Sequence, residues 1–192
     1  PETLTQLAET IRVRIADTLS PARYEHSVRV ASLSRELCGR FSLDPAAGYC
    51  AGIAHDMAKE LPPEELLELA RKDGRIISRI EMDKPALLHG RAAAVILHRE
   101  YGMEEGLVTN AVRHHTFGDP DLDPLSLVVY VADKIEPGRK QVSPEFRQTV
   151  LAGSLLAMSA LVLDHTVAYL ESRGKMVSDE TRIMQEMLAK EM

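Results

Sequence analysis

The chain has 192 residues, a formal net charge of −6, 45% apolar residues and 27% charged residues. This length is enough to bury a sizeable core in one domain. The negative net charge argues against a general nucleic-acid binder, because such a protein needs a basic face. No nucleic-acid polymer is therefore expected as a partner. No apolar run reaches membrane-span length, so no membrane partner is expected either.

The two cysteines and the N-terminal residues indicate in which cellular compartment the protein is expected. Cys38 and Cys50 both lie within apolar patterns, which is typical of small buried residues in a reducing compartment rather than of a disulfide framework. The chain starts without a basic segment followed by an apolar one, so no secretory signal is expected. We therefore expect a cytoplasmic protein.

The predicted elements are helices. Aromatic residues are sparse while Ala, Leu and Glu are frequent, and apolar residues recur at helical spacing from Leu4 to Leu19. A capping residue followed by proline predicts further helix starts. These pairs are Ser20-Pro21, Asp44-Pro45, Asp123-Pro124 and Ser143-Pro144.

Three later stretches complete the prediction. Residues 75–83 are expected to form a polar connection. Residues 125–131 could form a strand, but their cap and their continuation through Ile135 favour a helix. A long helix is predicted from Ser143 to about Ser172. The result is one all-α domain over residues 1–192 with about eight helices, comprising a motif core at about 20–140 and C-terminal helices at 143–192.

An unusual set of polar residues stands at helix ends or on predicted core faces. The apolar helix that begins at Pro45 ends in His55 and Asp56, and His26 shares a helix face with Val30 and Leu37. A single inward histidine is usually only hydrogen-bonded, but a buried carboxylate costs several kcal/mol unless it is paired. A bound cation removes that cost for the whole set. Its members are His26, His55, Asp56, His89, His115 and Asp133.

The donor types indicate which metals fit. Imidazole and carboxylate without thiolate suit iron, manganese, cobalt, nickel or zinc. Six ligands are too many for one open site and suit two divalent ions that share the Asp56 carboxylate. One ion is predicted at His26, His55, Asp56 and Asp133, and the other at Asp56, His89 and His115. Ions about 3.5–4 Å apart generate a bridging hydroxide and favour in-line displacement at phosphorus, which predicts a phosphoester or phosphoanhydride hydrolase.

The order of these motifs resembles the HD-domain superfamily, and within it the YqeK-like symmetrical bis(5'-nucleosyl)-tetraphosphatases. The motifs are His26-Ser27-x-Arg29, His55-Asp56-x-Ala58-Lys59, His89-Gly90, His115-Thr116-x-Gly118 and Asp133-x-Ile135-Glu136-Pro137-x-Arg139. The resemblance implies an all-α fold, a di-iron centre, and cleavage of the small nucleotide diadenosine tetraphosphate into two ADP through attack of metal-bound hydroxide on an inner phosphorus. It also selects His115 over His114, because the ligand in this family precedes threonine. Asp119 departs from the family, whose members often carry a basic residue after this glycine.

A polyphosphate also needs cations from the protein. Lys59 follows Asp56 by three residues and is expected to contact phosphate. Arg29 is balanced between phosphate contact and a salt bridge, and Arg139 between phosphate contact and a solvated loop position. Thr116 either donates its hydroxyl or caps a helix. The predicted substrate-binding set is Lys59, Arg29, Thr116, Gly118 and Arg139, and the predicted catalytic set is Asp56, Lys59 and Arg29.

Two other functions stay open from the sequence. One is a different HD phosphohydrolase that acts on nucleoside monophosphates or cyclic nucleotides. The other is a non-catalytic HD module that binds nucleotides. Four methionines near the C-terminus are expected to pack in the core or between two copies in a homodimer, namely Met176, Met184, Met187 and Met192.

Overall fold

The computed structural model describes residues 3–192, and the described part of the chain contains α-helices, one 3₁₀ helix at Pro85–Leu88 and no strand. Pro1 and Glu2, which the predicted domain included, lie outside these residues. The α-helices are α1 (Leu4–Thr18), α2 (Pro21–Arg40), α3 (Pro45–Ala54), α4 (Pro63–Arg71), α5 (Arg79–Asp83), α6 (His89–Tyr101), α7 (Leu107–His114), α8 (Pro124–Ile135), α9 (Pro144–Leu151), α10 (Leu155–Ser172) and α11 (Asp179–Glu191).

Helix α3 lies at the centre, with α1, α2, α7 and α8 packed around it. Its residues are small and mostly buried, and two glycines face α2. A Cβ atom added at Gly52 would lie 2.6 Å from the Cα of Ala31, and one at Gly48 would lie 2.8 Å from the carbonyl oxygen of Ser34. These glycines therefore allow a close approach of two helix backbones, which fixes the position of the residues that follow α3.

The predicted helix starts are confirmed, although one of them is stabilised differently from the others. The Asp44 side chain accepts from the backbone N–H of Ala46, and the Asp123 side chain accepts from that of Ser126. Ser20 makes no such cap; its hydroxyl donates to Glu60 at 2.6 Å. The segment at 125–131 lies within α8, so the helical alternative is the right one.

The single long helix predicted from residue 143 to 172 is wrong. It consists of α9 and α10, separated at residues 152–154. The Ser154 side chain caps α10 by accepting from the backbone N–H of Ala157. Arg40 of α2 donates to the carbonyl oxygens of Leu151 and Gly153, which satisfies backbone groups that the break leaves free.

The polar connection predicted at residues 75–83 is also more ordered than expected, because it contains α5. The backbone N–H and hydroxyl of Ser78 both donate to Glu81 at 2.7 Å. Arg91 of α6 holds this segment in place through salt bridges to Glu81 at 3.1 Å and to Asp73 at 2.8 Å. These two short helices, α5 and the separate α9, help to explain why the described residues hold eleven α-helices rather than about eight.

The cysteines are unpaired and buried, as the sequence predicts. Burial raises the pKa of Cys38 to about 11 and that of Cys50 to about 12, so both thiols stay protonated at neutral pH. None of the described helices combines the length and the apolar character that crossing a membrane requires.

Candidate metal centre

Five helices bring the six predicted ligand residues to one buried place. His26 lies on the inner face of α2 and Asp133 on that of α8, while His89 opens α6. His55 and Asp56 follow the C-terminal end of α3, and His115 follows that of α7. All six side chains are buried.

The two carboxylate oxygens of Asp56 face two different pairs of imidazoles. Oδ1 lies 3.1 Å from Nε2 of His89 and 3.6 Å from Nε2 of His115. Oδ2 lies 3.5 Å from Nε2 of His55 and 3.7 Å from Nε2 of His26. Asp56 therefore has the orientation that a carboxylate needs to bridge two ions.

Asp133 joins the His26 and His55 side of the cluster. Its Oδ1 lies 3.0 Å from Nε2 of His26 and 3.7 Å from Nε2 of His55. The structure thus groups the six side chains as the sequence argument does, with Asp56 between the groups. Their role as metal ligands stays a prediction at this point.

Hydrogen bonds outside the cluster set the tautomer of each histidine. The Nδ1 atoms of His55, His89 and His115 each lie 2.7 Å from the carbonyl oxygen of the residue three positions earlier. Nδ1 of His26 lies 3.1 Å from Glu136 Oε1. Because carbonyl and carboxylate oxygens accept, each Nδ1 carries a proton and donates it. Every Nε2 atom then points into the cluster, where it presents a lone pair whenever the imidazole is neutral.

Two pairs of these nitrogens lie close together, so two facing lone pairs would repel each other unless a proton or a cation lies between them. Nε2 of His89 is 2.9 Å from Nε2 of His115, and Nε2 of His26 is 3.3 Å from Nε2 of His55. Buried acceptors without a donor are costly. The donor set and its outer hydrogen bonds therefore fit divalent cations that accept nitrogen and oxygen ligands.

The pKa values of three of the histidines are shifted in opposite directions on the two sides of the cluster. Burial lowers the pKa of His115 to about 3 and also lowers that of His89, so both stay neutral and able to coordinate a cation. Burial acts in the same direction on His55, but the charges and hydrogen bonds of Asp56 and Asp133 outweigh it and raise its pKa to about 9. Without a cation, His55 therefore also carries a proton on Nε2, and it must lose that proton to act as a ligand. Burial opposes ionisation of Asp56 too, yet the neighbouring histidines hold its pKa well below the usual range.

The cluster opens into a cavity of about 750 Å³ whose wall includes several cations. Three residues of the predicted substrate-binding set line it, namely Lys59, Thr116 and Arg139. Lys59 Nζ lies 3.2 Å from His89 Nε2, and burial lowers its pKa. The Thr116 hydroxyl lies 3.4 Å from the same nitrogen. These side chains can therefore reach a phosphate held at the cluster.

The structure places the other two residues of that set away from the cavity lining. Arg29 donates from Nε to Glu136 Oε2 at 2.6 Å, so the salt-bridge alternative describes it. Gly118 is buried against Met184 of α11; a Cβ atom there would lie 2.2 Å from the sulfur, and its φ of +97° favours glycine. The geometry therefore favours structural roles for both.

Sequence reasoning missed three residues near the cluster. Arg23 donates to Asp56 Oδ2 at 2.7 Å and Lys134 donates to Asp133 Oδ2 at 2.8 Å, and both line the cavity. Glu136 holds the Nδ1 atom of His26, as described above. Their spacing could have indicated them, because Arg23 lies one helical turn before His26 and the other two lie within three residues of Asp133.

Comparison with known proteins places this arrangement in a family. The family model described as HD domain matches residues 23–138, which is more than half of the chain. The chain belongs to the HD domain family. The match spans all six residues of the cluster.

Two HD-domain relatives carry names that describe an activity. A Bacillus subtilis protein named symmetrical bis(5'-nucleosyl)-tetraphosphatase is 34% identical over 125 residues, which cover 65% of this chain and 67% of that protein. A Mycoplasma genitalium protein named probable nicotinate-nucleotide adenylyltransferase/Ap4A hydrolase is 32% identical over 135 residues, or 70% of this chain but only 37% of that protein. The matched segment thus spans about a third of the Mycoplasma protein and two thirds of the Bacillus protein, and both names describe a hydrolase.

A solved structure shares the fold. It is the 1.50 Å crystal structure of a Clostridium acetobutylicum protein described as a predicted HD superfamily hydrolase involved in NAD metabolism. The TM-score is 0.88 at 28% identity, over 96% of this chain and 97% of the other. The predicted all-α HD-type fold is thereby confirmed, and the likeness extends through the C-terminal helices that lie beyond the HD family match.

Proposed function

We propose that this protein hydrolyses dinucleoside tetraphosphates, with diadenosine tetraphosphate yielding two ADP, at a centre of two divalent ions. The observation that carries the proposal is the arrangement at Asp56. Its two oxygens face separate imidazole pairs, and all four imidazoles direct their Nε2 atoms inward because their Nδ1 atoms donate outward. The names of the Bacillus and Mycoplasma relatives support the substrate class.

The metal ligands in this proposal are the six residues of the cluster. His26, His55 and Asp133 would hold one ion and His89 and His115 the other, and Asp56 would contribute a ligand to both. We propose iron, and the same donors also suit manganese, cobalt, nickel or zinc. When bound, such ions polarise phosphoryl oxygens and lower the pKa of water so that a nucleophile is present at neutral pH.

The chain's own cations hold the polyphosphate. Lys59 and Arg139 extend to the cavity, where Lys134 and Arg23 add further positive charge. The protein as a whole carries a net charge of −6, so these local cations are needed to attract an anionic substrate. Thr116 offers a hydroxyl beside His89 for a phosphoryl oxygen.

Symmetrical cleavage defines which bonds change. The oxygen of water forms a bond to one inner phosphorus, and the bond from that phosphorus to the central bridging oxygen breaks. The bridging oxygen leaves with the second ADP, and the protons of water pass to the products and the solvent. Each product keeps two phosphates.

The test is anaerobic purification, metal analysis and chromatography of products from a panel of dinucleoside polyphosphates. The proposal predicts ADP as the one nucleotide product from diadenosine tetraphosphate, and ¹⁸O from labelled water in one of the two molecules. ATP with AMP, or release of inorganic phosphate, contradicts it. Turnover of nucleoside monophosphates or cyclic nucleotides in place of the dinucleotide assigns the site to a different phosphohydrolase.

A further inference from the structure

The cavity at the cluster has a second wall, which is formed by α10. His165, Thr166, Tyr169 and Arg173 line the same cavity as Asp56 and His89. Their spacing places the first three on one face of α10, and Arg173 follows the last residue of the helix, four residues after Tyr169. Another face of this helix, which includes Leu163 and Val167, packs into the core. One side of the cavity therefore carries the cluster, and the other carries a helix outside the matched HD segment.

Tyr169 is the unusual residue on this wall. Its side chain is 50% exposed, although it carries a large aromatic ring. The guanidinium of Arg173 and the ammonium of Lys175 lie 5.5 and 5.6 Å from the ring centroid. These cations lie over the ring, which is half exposed at the edge of a polar cavity. Such a ring is a surface on which a nucleobase can stack.

The cavity is larger than phosphates bound at the cluster would fill. About 750 Å³ lies in the upper part of the range for small-molecule sites. Phosphates bound beside Asp56, Lys59 and Arg139 occupy one end. A nucleoside attached to them extends along the remaining space, whose lining includes α10.

We infer that the Tyr169 face of α10 is the subsite for one nucleoside of the substrate. Tyr169 stacks on the base, and Arg173, four residues after it, places its positive charge beside the phosphate attached to that nucleoside. This inference rests on the proposed function for the position of the phosphates. It assigns the C-terminal helices a part in substrate selection.

A set of three variants isolates the ring. Tyr169→Leu removes the aromatic ring and keeps an apolar side chain, whereas Tyr169→Phe keeps the ring. Tyr49→Leu is the matched control, because Tyr49 is partly buried, has the guanidinium of Arg35 4.5 Å from its ring centroid, and lies outside the cavity lining. Isothermal titration of each metal-loaded protein with ADP and with inorganic pyrophosphate separates the contribution of the nucleoside from that of the phosphates.

Stacking on one aromatic side chain changes affinity about five- to 150-fold on truncation. We therefore expect Tyr169→Leu to bind ADP about tenfold more weakly, with a change of less than about twofold for pyrophosphate. Tyr169→Phe and Tyr49→Leu should bind ADP as the wild type does. Unchanged ADP affinity in Tyr169→Leu, or equal losses for ADP and pyrophosphate, overturns the subsite, as does a wild type that does not bind ADP.

The outcome is separable from that of the proposed function. If the wild type binds ADP in a Tyr169-dependent manner but does not convert diadenosine tetraphosphate into two ADP, the subsite stands and the proposed reaction fails. If the wild type makes two ADP while ADP binding is indifferent to Tyr169, the reaction stands and the subsite is rejected.

Discussion

Replacing Gly52 by alanine tests whether the close packing of α3 on α2 supports the cluster. The added Cβ would lie 2.6 Å from the Cα of Ala31 and 2.9 Å from its backbone nitrogen. These are backbone atoms of a helix, so they cannot turn aside as a flexible side chain does. The carbonyl oxygen of Gly52 also accepts from Nδ1 of His55, so a shift of α3 moves a proposed ligand.

The expected loss of stability follows from two opposed effects. Overpacking costs about 1–3 kcal/mol, and the clash with backbone favours the upper end of that range. Alanine recovers about 0.5–1 kcal/mol of helix propensity relative to glycine. The net loss is about 2 kcal/mol, which for a protein of this size lowers Tm by about 4–8 °C.

The assay is thermal unfolding followed by far-ultraviolet circular dichroism in the presence of a chelator, so that lost metal does not contribute. Gly39→Ala is the matched control, because Gly39 is an exposed residue of α2 with nothing within 4 Å of the added Cβ. It should unfold at or slightly above the Tm of the wild type. A Gly52→Ala protein that melts with or above the wild type refutes the packing argument. An equal loss in both variants shows that the contact with Ala31 is not its cause.

Three further predictions concern the surroundings of the cluster. Glu136→Ala removes the acceptor for Nδ1 of His26, so metal affinity, measured by chelator competition, should fall about 10–100-fold. Glu136→Gln should have an intermediate affinity. Unchanged affinity in Glu136→Ala contradicts the orienting role. Ser154→Ala removes the cap of α10 and should cost about 1 kcal/mol, or about 2–4 °C in Tm by calorimetry; a higher Tm argues against the cap. Lys59→Ala should lower kcat/KM for diadenosine tetraphosphate about 10–150-fold, which corresponds to the loss of one charged hydrogen bond. The exposed control Lys190→Ala should leave kcat/KM unchanged. Equal losses in both variants would show that the net charge of the protein, and not a contact of Lys59, causes the effect.

The helix starts and inner faces could be predicted because their causes are local. Asp44 and Asp123 cap the helices that follow them through bonds two or three residues away. His26 shares the buried face of α2 with Val30 and Leu37, which helical periodicity alone indicates. Local patterns of this kind were enough to group the six polar residues of the cluster.

The missed features depend on contacts between distant parts of the chain. Arg40 of α2 binds the carbonyl groups at the break between α9 and α10, more than 100 residues away. Arg29 pairs with Glu136 at a separation of 107 residues, so its spacing from His26 left phosphate contact and a salt bridge equally open. Tyr169 reaches the cavity because α10 packs against α8, which no sequence period shows.

The central claim is that Asp56 bridges two divalent ions, and metal content measures it most directly. Anaerobically prepared wild-type protein, analysed by inductively coupled plasma mass spectrometry, should contain about two ions per chain. Asp56→Ala should retain neither, while the exposed control Asp17→Ala should match the wild type. A wild type without bound divalent metal, or an Asp56→Ala protein that keeps both ions, contradicts the account.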